Sequence, residues 1–381
     1  MKTALATAPG EAALRPQVEA PRFYRPELDA LRFFAFLAVF LHHGIYTFAP
    51  LLSVLGGFGL SFFFFLSAFL ITELLQRERE LTGTIGIRDF YVRRVLRIWP
   101  LYFGFLLFAW VLGTVFPSHH ISLLFVLSYV LMLGNLYTAR YGLPYTPVGY
   151  LWSISIEEQF YLLWPLLNRV LPRRALIVAV AALVPVGAAA VLLLARAGQT
   201  PAQGIWDNSL VEFQIFALGA LTALGLRGRI PHFGPGLRLV LLGAGSALWL
   251  GAARFSGIDD RMPRGGFGPM LGYWAVGLGC ACLLVSALGI GRQAIPRPLV
   301  YLGKISYGLY VFHQISLEVV SHLLNHTALL NSAAHHAAYG IGHVGLGLLL
   351  TGALAALSYR FYEKPFLRWK DAFTVVRSRA A

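Results

Sequence analysis

Arg32 and His43 carry the sharpest chemical signal in the chain. They bracket one apolar run and stand eleven residues apart, about three helical turns, so on a helix they share a face roughly 16 Å apart. A neutral imidazole can take a proton from a hydroxyl, and its ordinary pKa suits work near neutral pH. His42 points about 80° away from Arg32 on the same count. The pair fits equally well a snorkelling helix-end arginine and a histidine that caps a packing contact.

A second constellation is Trp152-Ser153-Ile154-Ser155-Ile156-Glu157-Glu158-Gln159-Phe160-Tyr161. Adjacent carboxylates with two hydroxyls, at the head of an apolar run, are hard to explain by packing. One acid would orient and charge the histidine, and a Ser or Gln would hold substrate. The competing reading is a helix start, with Ser153 or Ser155 as cap and the acids in its first turn. In the run Arg93-Arg94-Val95-Leu96-Arg97, Arg94 and Arg97 face the same way on a helix. Their planar forks suit phosphate oxygens, although membrane anchoring is the plainer reading of that run alone. Ser306, Tyr310 and His313 form a polar stripe on an apolar helix, or an inter-helix hydrogen-bonding set. Glu363 ends the last apolar run and is expected in a helix-end ion pair.

The remaining histidines fall at ends or in loops. His322 and His326 have an i, i+4 spacing without an accompanying acid or thiol, so no metal is expected. No GxSxG, Walker loop or HExxH is present. Cys280 and Cys282 point to different faces of a helix and read as small apolar packers.

These residues need scaffolding, and the composition dictates its kind. Of 381 residues, 57% are hydrophobic and 13% charged, with a mean hydropathy of +0.66. A soluble domain carries about 25% charged residues and could not hide this much apolar surface. Disorder, collagen and a disulfide scaffold are excluded by the hydrophobicity, by Gly without a period and by there being two cysteines. The net charge of +14 fits basic loops between apolar runs better than nucleic-acid binding. The expected fold is an all-α polytopic membrane bundle around a polar cavity.

Candidate spans are 31–48, 51–75, 101–116, 121–137, 151–171, 175–195, 209–226, 237–253, 267–289, 298–323 and 337–362. Residues 1–24 read as a mobile cytoplasmic tail, 25–368 as one membrane domain and 369–381 as a second cytoplasmic tail. No cleavable leader is expected; the first apolar run reads as an anchor that stays. Basic loops assigned to the cytoplasm put both termini inside and require an even number of spans, about ten, with 121–137 lying in the interface or re-entering. The loop 254–266 departs from the rule, with Arg254, Arg261 and Arg264 against Asp259 and Asp260.

Taken in order, these blocks resemble the integral-membrane acyltransferase 3 family, which includes bacterial O-antigen and exopolysaccharide O-acetylases and macrolide O-acyltransferases. Tyr24 to Arg32, continuing to His43, is similar to its Arg-x10-His signature. Gly59 to Ile71 resembles its second-helix block, Arg94 and Arg97 its paired arginines, and Trp152 to Tyr161 its Trp-Ser-x-x-x-Glu-x-Gln-Phe-Tyr block. Ile305 to His313 and Glu363-Lys364-Pro365 fit as well. Two departures stand out: Ser67-Ala68-Phe69 replaces Ser-Gly-Phe, and Ser61 replaces an acid.

The resemblance implies a membrane O-acyltransferase of the bacterial inner membrane, using acyl-CoA, acetyl by default, as donor from the cytoplasmic side and no metal. Arg93, Arg94 and Arg97 would hold the donor. His43 would deprotonate an acceptor hydroxyl, Glu157 or Glu158 would orient it, and Arg32 would steady the donor or a charged partner. Trp152, Ser153, Ser155, Gln159, Tyr161, Ser306, Tyr310 and His313 would line the substrate site. The acceptor would be a surface glycan, lipid-linked sugar or similar hydroxyl compound, by direct transfer or through an acyl-histidine. No appended esterase-like domain is expected. The alternative class is a proton-coupled transporter or lipid-linked glycan flippase.

Overall fold

The computed structural model describes residues 24–45, 49–201, 203–258, 265–325 and 333–376; the side chains of 333–338 are not described. Of the expected tails, 1–24 and 369–381, residues 1–23 and 377–381 lie outside the described residues, while 369–371 continue the last helix. Among those described, the chain is helical, and only isolated bridges occur, at Thr200.

The order is α1 (Pro26–Gly44), α2 (Pro50–Thr82), α3 (Ile87–Val115), α4 (Leu123–Val130), α5 (Gly134–Tyr141), α6 (Trp152–Val170), α7 (Arg173–Arg196), α8 (Ser209–Leu226), α9 (Pro235–Phe255), α10 (Phe267–Ala287), α11 (Arg297–Lys304), α12 (Ser306–Asn325) and α13 (Ala333–Ser358). A π-helical turn, Tyr359–Glu363, and α14 (Lys364–Asp371) close the chain. The long helix α2 is the hub, touching α1, α6, α8, α9 and α10. Small residues permit this. A Cβ on Gly56 or Gly59 would come 2.5 Å from the carbonyl oxygens of Ala38 or Ala35 on α1, and Gly219 of α8 is pressed against the Phe65 carbonyl. Such close approach replaces the hydrophobic drive that lipid removes.

Among the described residues, seven helices are long and apolar enough to cross a membrane by length and composition, fewer than the expected ten or so. Three others, α1, α6 and α12, are 19, 19 and 20 residues long. They fall short in apolarity because they carry Arg32, Glu157 with Glu158, and His313 with Glu318. All three carry candidate site residues.

The segment 121–137 breaks into α4 and α5 around Met132, which takes a left-handed φ of 56°. Each piece has 8 residues, about 12 Å, against a hydrocarbon core of about 30 Å. Neither can span. The run 298–323 is likewise two helices, since Gly303 packs directly on the Asp29 backbone and the chain turns at Ile305.

Candidate functional site

Pro26 at the first position starts α1, and Arg25 just before it is locked by a buried ion pair to Glu73 at 3.1 Å. Phe33, Phe36 and Phe40 then pack toward α11–α13 while Ala35 and Val39 face α2. The two histidines at the helix end part company. His42 Nδ1 lies 2.8 Å from the Ser53 carbonyl and 3.2 Å from its hydroxyl. It ties α1 to α2. His43 turns the other way: its ring centroid is 4.4 Å from that of Tyr150 and 5.2 Å from that of His313.

Toward the arginine-rich end of the bundle lies a cavity of about 490 Å³. Arg25, Arg32, Arg93, Arg94, Arg97, Lys304 and Lys370 line it, against Asp29, Glu78, Glu363 and Asp371. Cations outnumber acids, so the chamber favours an anion. A smaller cavity of about 90 Å³ adjoins it deeper in the bundle, lined by Ser67, Ser153, Glu157, Tyr161, Ser306 and Tyr310 among others. Arg32, Arg94 and Arg97 belong to both walls. Arg94 lies over the Tyr161 ring at 5.1 Å and the Phe90 ring at 5.5 Å, within cation–π reach of both.

Inside the smaller cavity, one oxygen of Glu157 accepts hydrogen bonds from Ser67 at 2.5 Å and Tyr161 at 2.7 Å. The far wall is Tyr310, whose hydroxyl meets Ser153 at 2.5 Å and donates to the Tyr150 carbonyl at 2.9 Å. Behind it sits buried His313, with Nδ1 2.5 Å from the Tyr310 carbonyl. Its Nε2 has no partner among the described residues. A polar ladder therefore runs from the arginines through Glu157 and Tyr310 to His313 and His43.

The expected site residues divide along this ladder. Arg32, Arg94, Arg97, Ser153, Glu157, Tyr161, Ser306 and Tyr310 line the cavities. His43 and His313 lie beyond them. Neither acid of the pair touches His43: Glu157 is held as above, and Glu158 turns to Trp99 at 3.1 Å. Arg93 lines the larger chamber but is engaged by Glu78 at 2.9 Å and the Phe373 carbonyl at 2.6 Å. Ser155 accepts from the Gly134 amide at 3.1 Å. Gln159 donates to the Met132 carbonyl and Asn135 and accepts from Ser209. Both therefore tie α6 to α5 and α8 and do not face the cavity. Trp152 is packed in the core. Glu363, expected in an ion pair, accepts from Ser358 at 3.0 Å and lines the larger chamber. Tyr150, Lys304 and Lys370 were not singled out from sequence. Tyr150 stands two residues before the Trp152–Tyr161 block, and the two lysines sit at helix ends where basic residues are common.

The α5–α6–α8 junction also buries Asp207, in the loop before α8, and burial pushes its carboxyl up to about 7. The unfolded chain releases that proton near ~3.9. Stability from this group is complete in acid and falls as pH rises through ~3.9 to about 7, because only the folded form keeps the proton. The melting temperature of the detergent-solubilised protein should drop between pH 5 and pH 8 by more in the wild type than in Asp207→Asn. Equal drops would contradict the assignment.

Comparison with known proteins gives a consistent picture. A family model described as an acyltransferase domain matches residues 25–360. The chain is 27% identical over 367 residues to peptidoglycan O-acetyltransferase OatA of Listeria monocytogenes, covering 90% of this chain and 56% of that protein. It is 27% identical over 379 residues to O-acetyltransferase OatA of Staphylococcus aureus, covering 91% and 57%. The chain thus spans a little over half the length of these relatives. No solved structure matches.

Proposed function

Because this chain belongs to the acyltransferase 3 family, we propose that it is a membrane O-acyltransferase moving an acetyl group from acetyl-CoA to a glycan hydroxyl of the peptidoglycan type. The observation that carries this reading is the wall shared by the two chambers, where Arg32, Arg94 and Arg97 face both. An anionic carrier held in the larger chamber has its acyl arm directed into the smaller one. In this reading the larger chamber opens on the cytoplasmic side, which the basic loops around it favour.

In this scheme Arg94 and Arg97, aided by Lys304 and Lys370, bind the donor phosphates through charge-assisted hydrogen bonds. Arg32 steadies the arm near the thioester. Glu157, with Ser67 and Tyr161, fixes the polar lining of the narrow chamber. The acyl carbon approaches His43 when Tyr310 swings off Ser153. His43 takes the proton of the acceptor hydroxyl as that oxygen attacks the thioester carbonyl. The carbon–sulfur bond breaks, and the imidazolium returns its proton to the departing thiolate. Held geometry supplies much of the rate, since donor and acceptor meet from opposite ends of one bundle.

The test is a reconstitution in lipid nanodiscs with labelled acetyl-CoA and a peptidoglycan tetrasaccharide. One CoA thiol should appear per hydroxylamine-labile ester on the sugar. Passage of the sugar across a liposome membrane without thiol release would overturn the reading in favour of a carrier.

A further inference from the structure

A second group of titratable and aromatic side chains lies beyond both chambers. The pair α11–α12 runs parallel to α1, with Gly303 against the Asp29 backbone at one end and Leu317 beside Gly44 at the other. Glu318 is therefore level with His43, away from the arginines. His119 Nε2 stands 3.4 Å from Glu318 Oε1. The His119 ring stacks on Tyr145, centroids 5.4 Å apart and planes 20° apart. The Glu318 carboxylate nearby holds the Tyr145 phenol above its ordinary value. Tyr150 links this group to His43: its ring packs against the imidazole, and its phenol is raised by burial and then by Glu318.

The fold does not need this arrangement. Tyr145 is 69% exposed, so its ring contributes little burial energy. The side chains of His119 and Glu318 keep 15% and 23% exposure, enough to meet a ligand but costly for a carboxylate kept from water. An interfacial tyrosine anchor would lie singly among headgroups. This one is stacked by an imidazole that itself reaches the Glu318 carboxylate. A flat ring beside converging hydroxyl-binding groups matches a pyranose, which offers an apolar face and a rim of donors.

We propose that His119, Tyr145 and Glu318 form the acceptor subsite, with a neutral sugar ring lying on Tyr145 and its hydroxyls held by Glu318 and His119. The sugar's next residue then presents its hydroxyl to His43 past Tyr150. The carboxylate disfavours anionic sugars at this position. The proposal rests on the acyltransferase reading for its purpose, but its binding step can be measured alone.

The probe is chitotetraose, a neutral N-acetylglucosamine tetramer, titrated into the nanodisc-held protein without donor and followed by saturation-transfer NMR. Wild type should bind. Tyr145→Ala and Glu318→Gln should each weaken binding about tenfold, and Tyr145→Phe by less. With acetyl-CoA present, acceptor KM should rise by the same factor in each variant while donor KM stays unchanged. Unaltered chitotetraose binding in both Tyr145→Ala and Glu318→Gln would overturn the subsite. If wild type acetylates sugar and both variants keep its acceptor KM, the subsite fails and the enzyme reading stands. If chitotetraose binds through these residues but acetyl-CoA is never consumed, the enzyme reading fails and the subsite stands.

Discussion

Replacing His43 by alanine lowers the rate of acyl transfer about 10²- to 10⁴-fold, the usual contribution of a positioned general base, while the protein inserts and melts as wild type does. The second half follows from its surroundings. His43 is half-buried, and its described contacts are to other rings: His42 at 4.7 Å, Tyr150 at 4.4 Å and His313 at 5.2 Å. Nothing in the helix pairing hangs on its nitrogens. His42 provides the contrast on the neighbouring residue. Its bonds to Ser53 join α1 to α2, so His42→Ala should lower stability by about 1 kcal/mol with a much smaller loss of rate. Initial rates and melting curves on the two variants decide the matter. A fully active, folded His43→Ala protein would end the proposed mechanism.

Arg94→Ala and Arg97→Ala should each raise the KM for acetyl-CoA about ten- to hundredfold, since each removes a charge-assisted contact to phosphate. The turnover number should move far less once donor saturates. Arg94→Lys should recover only part of the loss, because an ammonium cannot stack on Tyr161 and present a flat fork at once. Arg93→Ala belongs to another class. It strands the buried carboxylate of Glu78, whose side chain is 4% exposed, and should cost about 3–5 kcal/mol of stability. Donor titrations and thermal melts on the three single variants separate the roles. Equal KM changes for Arg93, Arg94 and Arg97 would count against the assignment of the two cavity-facing arginines.

Most of the architecture was legible because lipid leaves a chain few options: apolar runs of span length must be helices. The ends were less legible. Hydropathy marks where a helix leaves hydrocarbon, not where it stops, so α2 and α3 run to 33 and 29 residues, well past the apolar stretches at 51–75 and 101–116. The breaks at Met132 and Ile305 depend on contacts with other helices, which composition does not encode.

Within the site, spacing sorted the residues but not the direction they face. On α6, Ser153, Glu157 and Tyr161 recur every four residues and share one side; Ser155 and Gln159 share another. Both sets are polar, and both satisfy the expectation of a substrate-lining stripe. Only packing against α2 and α3 on one side and α5 and α8 on the other shows that the first set meets the cavity and the second joins helices. The same limit explains the expected acid–histidine pair. Glu157 and His43 lie on different helices, and nothing in the residue order states that Tyr310 and His313 stand between them.

Tyr310, bonded to Ser153 and to the Tyr150 carbonyl, is where the inner chamber stops. A catalyst that takes its donor from one aqueous phase and its acceptor from another would, if continuously open, short-circuit the ion gradient that its host membrane maintains. In the proposed scheme the Tyr310 phenol would let an acyl group cross without granting protons or sodium the same passage. Leak current through the reconstituted protein is thus as much a property of this fold as its turnover.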